Sequence, residues 1–190
     1  MKLLDINKIH STDILTMISS LSSDEKFTPP NIANKMLDLL PSDLWNNHEI
    51  KFLDPFSKTG VFLREITSRL IDGLEEKFPD LEKRINHILR HQVFGLGITE
   101  LTSLISRRSL YCSKYANGKY SIISFDDKEG NIKFPETNHS WTVTTGKCAY
   151  CGVSKQIWER SVELQSYAYP FIHTEDIREF FDMKFDVIVG

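Results

Sequence analysis

Two stretches of this chain hold residue types at spacings that do chemistry. The first is Lys51-Phe52-Leu53-Asp54-Pro55-Phe56-Ser57-Lys58-Thr59-Gly60-Val61-Phe62, a carboxylate and a glycine in one loop between an apolar run and a segment of helical spacing. The Asp54 carboxylate can accept a hydrogen bond from an ammonium or hydroxyl group. Gly60 lets backbone approach a ligand closely, and the free N–H groups of the following helix face the same space. Together they suit a small polar ligand. The second stretch is Lys147-Cys148-Ala149-Tyr150-Cys151-Gly152, a Cys-x2-Cys pair. Two thiolates at that spacing grip one Zn²⁺ from a tight turn; the same spacing in a thioredoxin-like setting is a redox pair.

A structural zinc needs four ligands, and the ion would replace a core too small to hold so short a segment. Cys112 is the remaining cysteine, and the fourth ligand is His139 or His173. The set expected is Cys148, Cys151, Cys112 and His139, with His173 as the alternative.

The elements that must position these groups follow from apolar spacing. Phe52-Leu53 reads as a strand, and Phe62, Leu63, Ile66, Leu70 and Leu74 read as the helix after it. Beyond Pro79, Leu81, Ile85, Ile88 and Leu89 predict a second short helix. Gln92–Ile98 is short, apolar and glycine-punctuated, as a buried parallel strand is, and Thr99-Glu100 opens a helix with Leu101, Leu104, Ile105 and Tyr111 inward. Strand alternating with helix is the α/β signature, with the ligand crevice at the carboxyl ends of the strands.

Upstream, Ile14, Leu15, Ile18 and Leu21 predict a helix over residues 11 to 21. Thr28 can cap a further helix whose first turn tolerates proline, with Ile32, Met36, Leu37 and Leu40 on one face until Pro41. Residues 113 to 165 read as an insertion. Turns at Asn117-Gly118, Glu129-Gly130-Asn131 and Thr145-Gly146 separate short β-type runs such as Tyr120–Ile123 and Trp141–Val143. The sheet is expected to resume at Tyr167, and Lys184–Gly190 reads as a buried strand.

With 190 residues, 41% apolar and 26% charged, the chain has the composition of one folded domain. Its net charge of -3 argues against a protein that is basic throughout and binds nucleic acid through bulk charge. Arg107, Arg108, Lys114 and Lys119 cluster locally and read as a solvated helix face. No apolar run approaches the roughly 20 residues of a membrane span, and the start of the chain, with Asp5 and His10, lacks a signal-peptide core. A cytoplasmic protein without a membrane partner is the expectation.

Asp54-Pro55-Phe56-Ser57-Lys58-Thr59-Gly60-Val61-Phe62 resembles the S-adenosylmethionine loop of adenine-N6 DNA methyltransferases, with its Asp-Pro, variable residues, Gly and Phe. Phe27-Thr28-Pro29 ahead of a helix resembles the element with which that family contacts the methionine part of the cofactor. The resemblance thus assigns Phe27, Thr28, Pro29, Asp54, Pro55, Phe56, Thr59 and Gly60 to the cofactor. Ala168–Ile177 is similar to the third cofactor segment, which implies that Asp176 and Ile177 meet the adenine ring and its amino group. Thr174 or Asp176 is equally a helix N-cap, and the two roles are compatible. Where the family carries an acid for the ribose hydroxyls, this chain has Gly97. Glu100 is the nearest substitute, or else an acid favoured by the helix dipole.

Ile98–Cys112 looks like one branch of restriction-associated methylases, which carry a cysteine-containing insertion after this helix. Phe185-Asp186-Val187-Ile188-Val189-Gly190 resembles the strand that leads into the family's Asn-Pro-Pro-Tyr or Asn-Pro-Pro-Phe loop. Catalytic residues are therefore expected immediately after Gly190 and none within the chain.

The fold expected is α/β: an incomplete Rossmann-like sheet of an S-adenosylmethionine-dependent methyltransferase with an inserted β-rich, zinc-binding subdomain. Residues 1–112 form the first part, 113–165 the insertion, and 166–190 the return, truncated at the fourth strand. The resemblance implies the cofactor-binding portion of a site-specific enzyme that methylates adenine N6 in DNA, within restriction-modification. Its partners would be DNA and the remainder of the enzyme, or a second chain completing the sheet. Alone it would be inactive and would self-associate through an open strand edge. The other readings are a non-catalytic zinc-containing module that binds DNA or a partner, and an RNA or protein methyltransferase.

Overall fold

A computed structural model describes residues 27–97, 99–135, 137–158, 170–173 and 180–190. The helix expected over residues 11 to 21, and Asp176 and Ile177, lie outside the described residues. Helix α1 (Pro30–Leu37) starts with proline at its first position, where the missing N–H costs nothing. Its cap is Pro29, not Thr28; the Pro29 carbonyl accepts from Ile32 and Ala33. Ala33 and Leu37 are buried, whereas Ile32 and Met36 are exposed. The inward face is thus narrower than the spacing suggests, because polar bonds fix the helix: Asn34 Nδ2 donates to Glu65 at 2.8 Å and Arg69 pairs with Asp38 at 2.6 Å.

A 3-10 turn (Ser42–Asn46) leads to β1 (Phe52–Asp54), α2 (Val61–Gly73), α3 (Leu81–His91) and β2 (Val93–Leu96). Asp80 caps α3, accepting from the Lys83 N–H at 2.9 Å. Helix α4 (Glu100–Tyr111), capped by Thr99, is followed by β3 (Ile132–Lys133), α5 (Lys155–Trp158), α6 (Pro170–His173) and β4 (Val187–Ile188).

The sheet runs β3-β2-β1-β4 and all its pairings are parallel. Phe52 stands opposite Val93 on one side and Val187 on the other. Each face is covered. Phe52 and Val93 join the core of α2 and α3 with Leu63, Ile66, Leu70 and Ile88. Leu53, Phe94 and Leu96 point the other way, onto Phe181 with Phe180, Met183 and Phe185 packed around it. Burial on both faces is why these strands read as continuous apolar runs. Each fully buried Phe or Leu contributes about 1.5–3 kcal/mol.

Three expectations change. The sheet's third strand is Ile132–Lys133, inside the stretch read as an insertion. Residues 113–134 also fold back onto the main core: Ala116, Ile123 and Ile132 are buried in it, and the Tyr111 hydroxyl accepts from the Asn131 N–H at 3.0 Å. Tyr120–Ile123 is turn and bend rather than strand. A two-residue strand shows no period, so the pattern hid it.

Helix α4 turns a different face inward from the one its leucines indicate. Thr102, Ser103, Ser106, Arg107, Leu110 and Tyr111 are buried, while Leu101 is 60% exposed. Arg107 is accordingly not part of a solvated basic face. Its guanidinium donates to the Ile132 carbonyl at 3.0 Å and pairs with Glu129 at 2.6 Å, fixing β3 to the helix.

The Cys-x2-Cys stretch is a small turn held by isolated antiparallel bridges, Trp141 with Cys148 and Lys147 with Ser154. Among the described residues no helix is long and apolar enough to cross a membrane.

Candidate functional site

The loop after β1 is pinned before it reaches the surface. Ser57 N donates to the Leu96 carbonyl at 2.9 Å, so the loop lies across the end of β2. Gly60 then caps α2 with φ 74, a left-handed conformation that side chains disfavour. A Cβ there would sit 2.5 Å from Ser106 Oγ. The small inward residues of α4 are what let the helix approach this loop.

A cleft of about 280 Å³ opens at this point. Asp54, Phe56, Lys58, Thr59 and Gly60 line it from the loop, and Val61 and Phe62 from the first turn of α2. Phe27 and Thr28 close it from the segment before α1, Ile172 from α6, and Gly190 from beyond β4. Asp54 is only 2% exposed. Its Oδ1 accepts from the Phe56 N–H at 3.0 Å. Burial pushes its carboxyl up to about 7, against the opposing pull of that N–H and of Lys58.

Of the residues expected at a cofactor, Phe27, Thr28, Asp54, Phe56, Thr59 and Gly60 come together on this cleft. Pro29 stands at the cap of α1 and Pro55 is buried within the loop; neither is on the cleft wall. Glu100 is exposed in the first turn of α4, away from the wall. Lys58, Val61 and Phe62 were inside the recognised loop without being singled out. Ile172 and Gly190 had no local signal; only the fold brings them to Asp54.

Gly97 explains why no acid ends β2. A Cβ at Gly97 would lie 1.9 Å from Ser103 Oγ, which donates to the Thr99 carbonyl at 2.8 Å. The space a larger residue needs is filled by α4. Gly97→Ala is expected to lower stability by about 1–3 kcal/mol, the usual cost of overpacking, and less in a Ser103→Ala background. Thermal denaturation of the two single variants and the double variant checks this; a neutral Gly97→Ala contradicts the fit.

A second cluster forms beside α6. The ligand atoms of His139, Cys148, Cys151 and His173 all lie within 4.8 Å of one another. Cys151 Sγ is 3.5 Å from His139 Nδ1, and Cys148 Sγ is 3.5 Å from His173 Nε2. Bond lengths to zinc imply ligand-to-ligand spacings of about 3.3–3.8 Å in a tetrahedral site, so two closest pairs are already there. This group could hold a metal ion. Cys112 is not in it: that residue ends α4 in a left-handed conformation with φ 61 and is exposed. The chain then folds back toward β3, and His173 stands with the cluster instead. Burial works to raise the Cys148 thiol, but N–H groups of Cys151 and Tyr150 and the His139 and His173 rings bring it down to about 5. Burial and the neighbouring Cys148 keep Cys151 above its ordinary value. One ready thiolate beside two imidazoles is a donor set that suits zinc.

Residues 91–190 match the model of the Eco57I restriction-modification methylase family. A Mycoplasma pneumoniae protein described as an uncharacterized adenine-specific methylase is 36% identical over 201 residues. That alignment covers 94% of this chain and 48% of the relative, so the chain spans about half the length of the curated relative it matches. The family match takes in more than half of the chain, from the strand before Gly97 to Gly190, and with it this chain belongs to the Eco57I restriction-modification methylases.

Proposed function

We propose that this chain binds S-adenosylmethionine in the cleft at Asp54 and forms the cofactor side of an enzyme that methylates adenine N6 in DNA. The observation that carries this reading is the meeting of Phe27, Thr28, Asp54 and Gly60 on one cleft, at the carboxyl ends of adjacent parallel strands. The donor set fits the ligand. A buried carboxylate accepts from an ammonium or hydroxyl, Phe27, Phe56 and Ile172 offer apolar walls, and the start of α2 offers backbone N–H groups. When bound, S-adenosylmethionine supplies a methyl group already activated on a sulfonium. What this chain contributes is binding and alignment.

The groups that hold the target adenine belong, in this proposal, to chain that continues from β4. Strand β4 is the outer strand of the sheet, and Ile188 on it is 55% exposed. A further strand pairing there would cover it. Zinc would sit between His139, Cys148, Cys151 and His173 as a structural ion.

Calorimetric titration of the chain tests the cofactor reading. Saturable, one-to-one binding of S-adenosylmethionine, with no comparable binding of ATP, is expected. DNA binding that needs zinc and ignores the cofactor would instead establish a non-catalytic module.

A further inference from the structure

Helix α6 is a single turn, Pro170–His173, yet its last two residues serve two separate places. Ile172 lines the cleft at Asp54, and His173 Nε2 lies 3.5 Å from Cys148 Sγ in the cluster. Consecutive side chains on a helix diverge by roughly 100°, so one turn can wall one site and ligate another. A four-residue turn has no stability of its own, because helix nucleation is unfavourable without tertiary anchors. Ile172, 47% exposed, is a weak anchor. The strong one is on the other side, where the His173 ring stands 5.0 Å from that of His139 and 5.5 Å from that of Tyr150.

We propose that the His139, Cys148, Cys151 and His173 cluster is a metal site whose occupancy sets the affinity of the cofactor cleft, through the Ile172-His173 pair. This rests on the S-adenosylmethionine reading of that cleft. A tetrahedral ion closes the four ligand atoms onto one point and fixes His173. Ile172, one peptide bond away, is then held in the cleft wall before the ligand arrives. Without the ion, part of the ligand's binding free energy goes into ordering that turn. Linkage makes the effect mutual: the cofactor must tighten metal binding by the same factor.

The test uses cobalt(II) and zinc(II) with the full 190-residue chain. Cobalt should give the intense visible bands of a tetrahedral site with thiolate charge transfer, lost in Cys151→Ser. Calorimetry should find S-adenosylmethionine bound about tenfold more tightly by zinc-loaded than by chelator-treated protein, within the usual span of coupled sites. A cobalt competition titration should show the metal gaining the same factor at saturating cofactor. Ile172→Ala should keep the cobalt spectrum while making cofactor affinity nearly independent of metal; this variant leaves every ligand in place and so does not depend on His173→Ala folding.

Equal cofactor affinities with and without metal, in protein whose circular dichroism is unchanged, overturn the coupling alone. Absence of a tetrahedral cobalt spectrum overturns the metal site. A normal cobalt spectrum with no cofactor binding in any state overturns the cofactor reading, and the coupling falls with it.

Discussion

Asp54→Ala is expected to weaken S-adenosylmethionine binding by at least about a hundredfold, roughly 3 kcal/mol, while the protein still folds. That is the scale of losing a hydrogen bond to a charged group and leaving its partner unpaired in a dry site. Asp54 is the only acid on the cleft wall, so no neighbouring carboxylate can take over. The pH dependence separates this role from simple packing. With the carboxyl raised to about 7, the group is largely neutral below that pH and accepts poorly from an ammonium. Cofactor affinity should therefore climb as pH rises from about 6 to about 8, and Asp54→Asn should flatten the profile.

Stability of the free protein runs the other way. The folded value, about 7, lies above the ordinary 3.8, so the folded state holds a proton that the unfolded chain has released. This contribution is complete below about pH 4 and is lost as pH rises through 7; above that, it is constant. Opposite slopes for affinity and for melting temperature across the same window identify Asp54 as the titrating group. Parallel slopes, or an affinity that ignores pH, would sink the assignment.

Arg107→Ala is expected to destabilise the chain by about 3 kcal/mol or more. The Arg107 side chain is 4% exposed and its partner Glu129 22%, so removing the guanidinium strands a carboxylate in a poorly solvated place. The Ile132 carbonyl loses its donor as well, and with it goes the clamp that holds β3 against α4. For a chain of this size, that is a fall in melting temperature of roughly 6–12 °C. The pair's geometry is at issue rather than net charge, so Arg107→Lys should recover only part of the loss. Arg107→Met with Glu129→Gln should be milder than Arg107→Ala, because no charge is left alone. If Arg107→Ala melts within about 1 °C of the parent, the clamp is not structural.

The parts of the fold that could be read from sequence are those with a period. Phe62, Leu63, Ile66 and Leu70 all turned inward as their spacing requires, and both Phe52-Leu53 and Val93–Leu96 are buried strands. Helix α4 broke the rule for a steric reason. It lies so close to the loops at Gly60 and Gly97 that serine faces inward and Leu101 outward, and hydrophobic spacing cannot register a face chosen for smallness. Arg107 looked like surface because charge usually is; its partner Glu129 is 22 residues away, and nothing local announces the pair. On the cleft, the loop carries its own pattern from Asp54 to Gly60. Ile172 and Gly190 do not, since their place depends on how distant segments close. The cluster at Cys148 shows the same limit: counting cysteines pointed to Cys112, and the choice of His173 is made in three dimensions.

The central position of β1 also fixes an order of events during synthesis. Its second neighbour joins through Asp186, whose side chain and N–H bond the Lys51 backbone across a separation of 135 residues. At roughly 5–20 residues per second, a ribosome needs about 7–27 s to make that stretch. For that interval Phe52-Leu53 leaves the exit tunnel with one flank unmatched, an apolar strand edge open to any other nascent chain nearby. The yield of this protein in a cell is then governed by how well that edge is shielded while translation proceeds, and slowing the ribosome after Gly60 would lengthen the exposure.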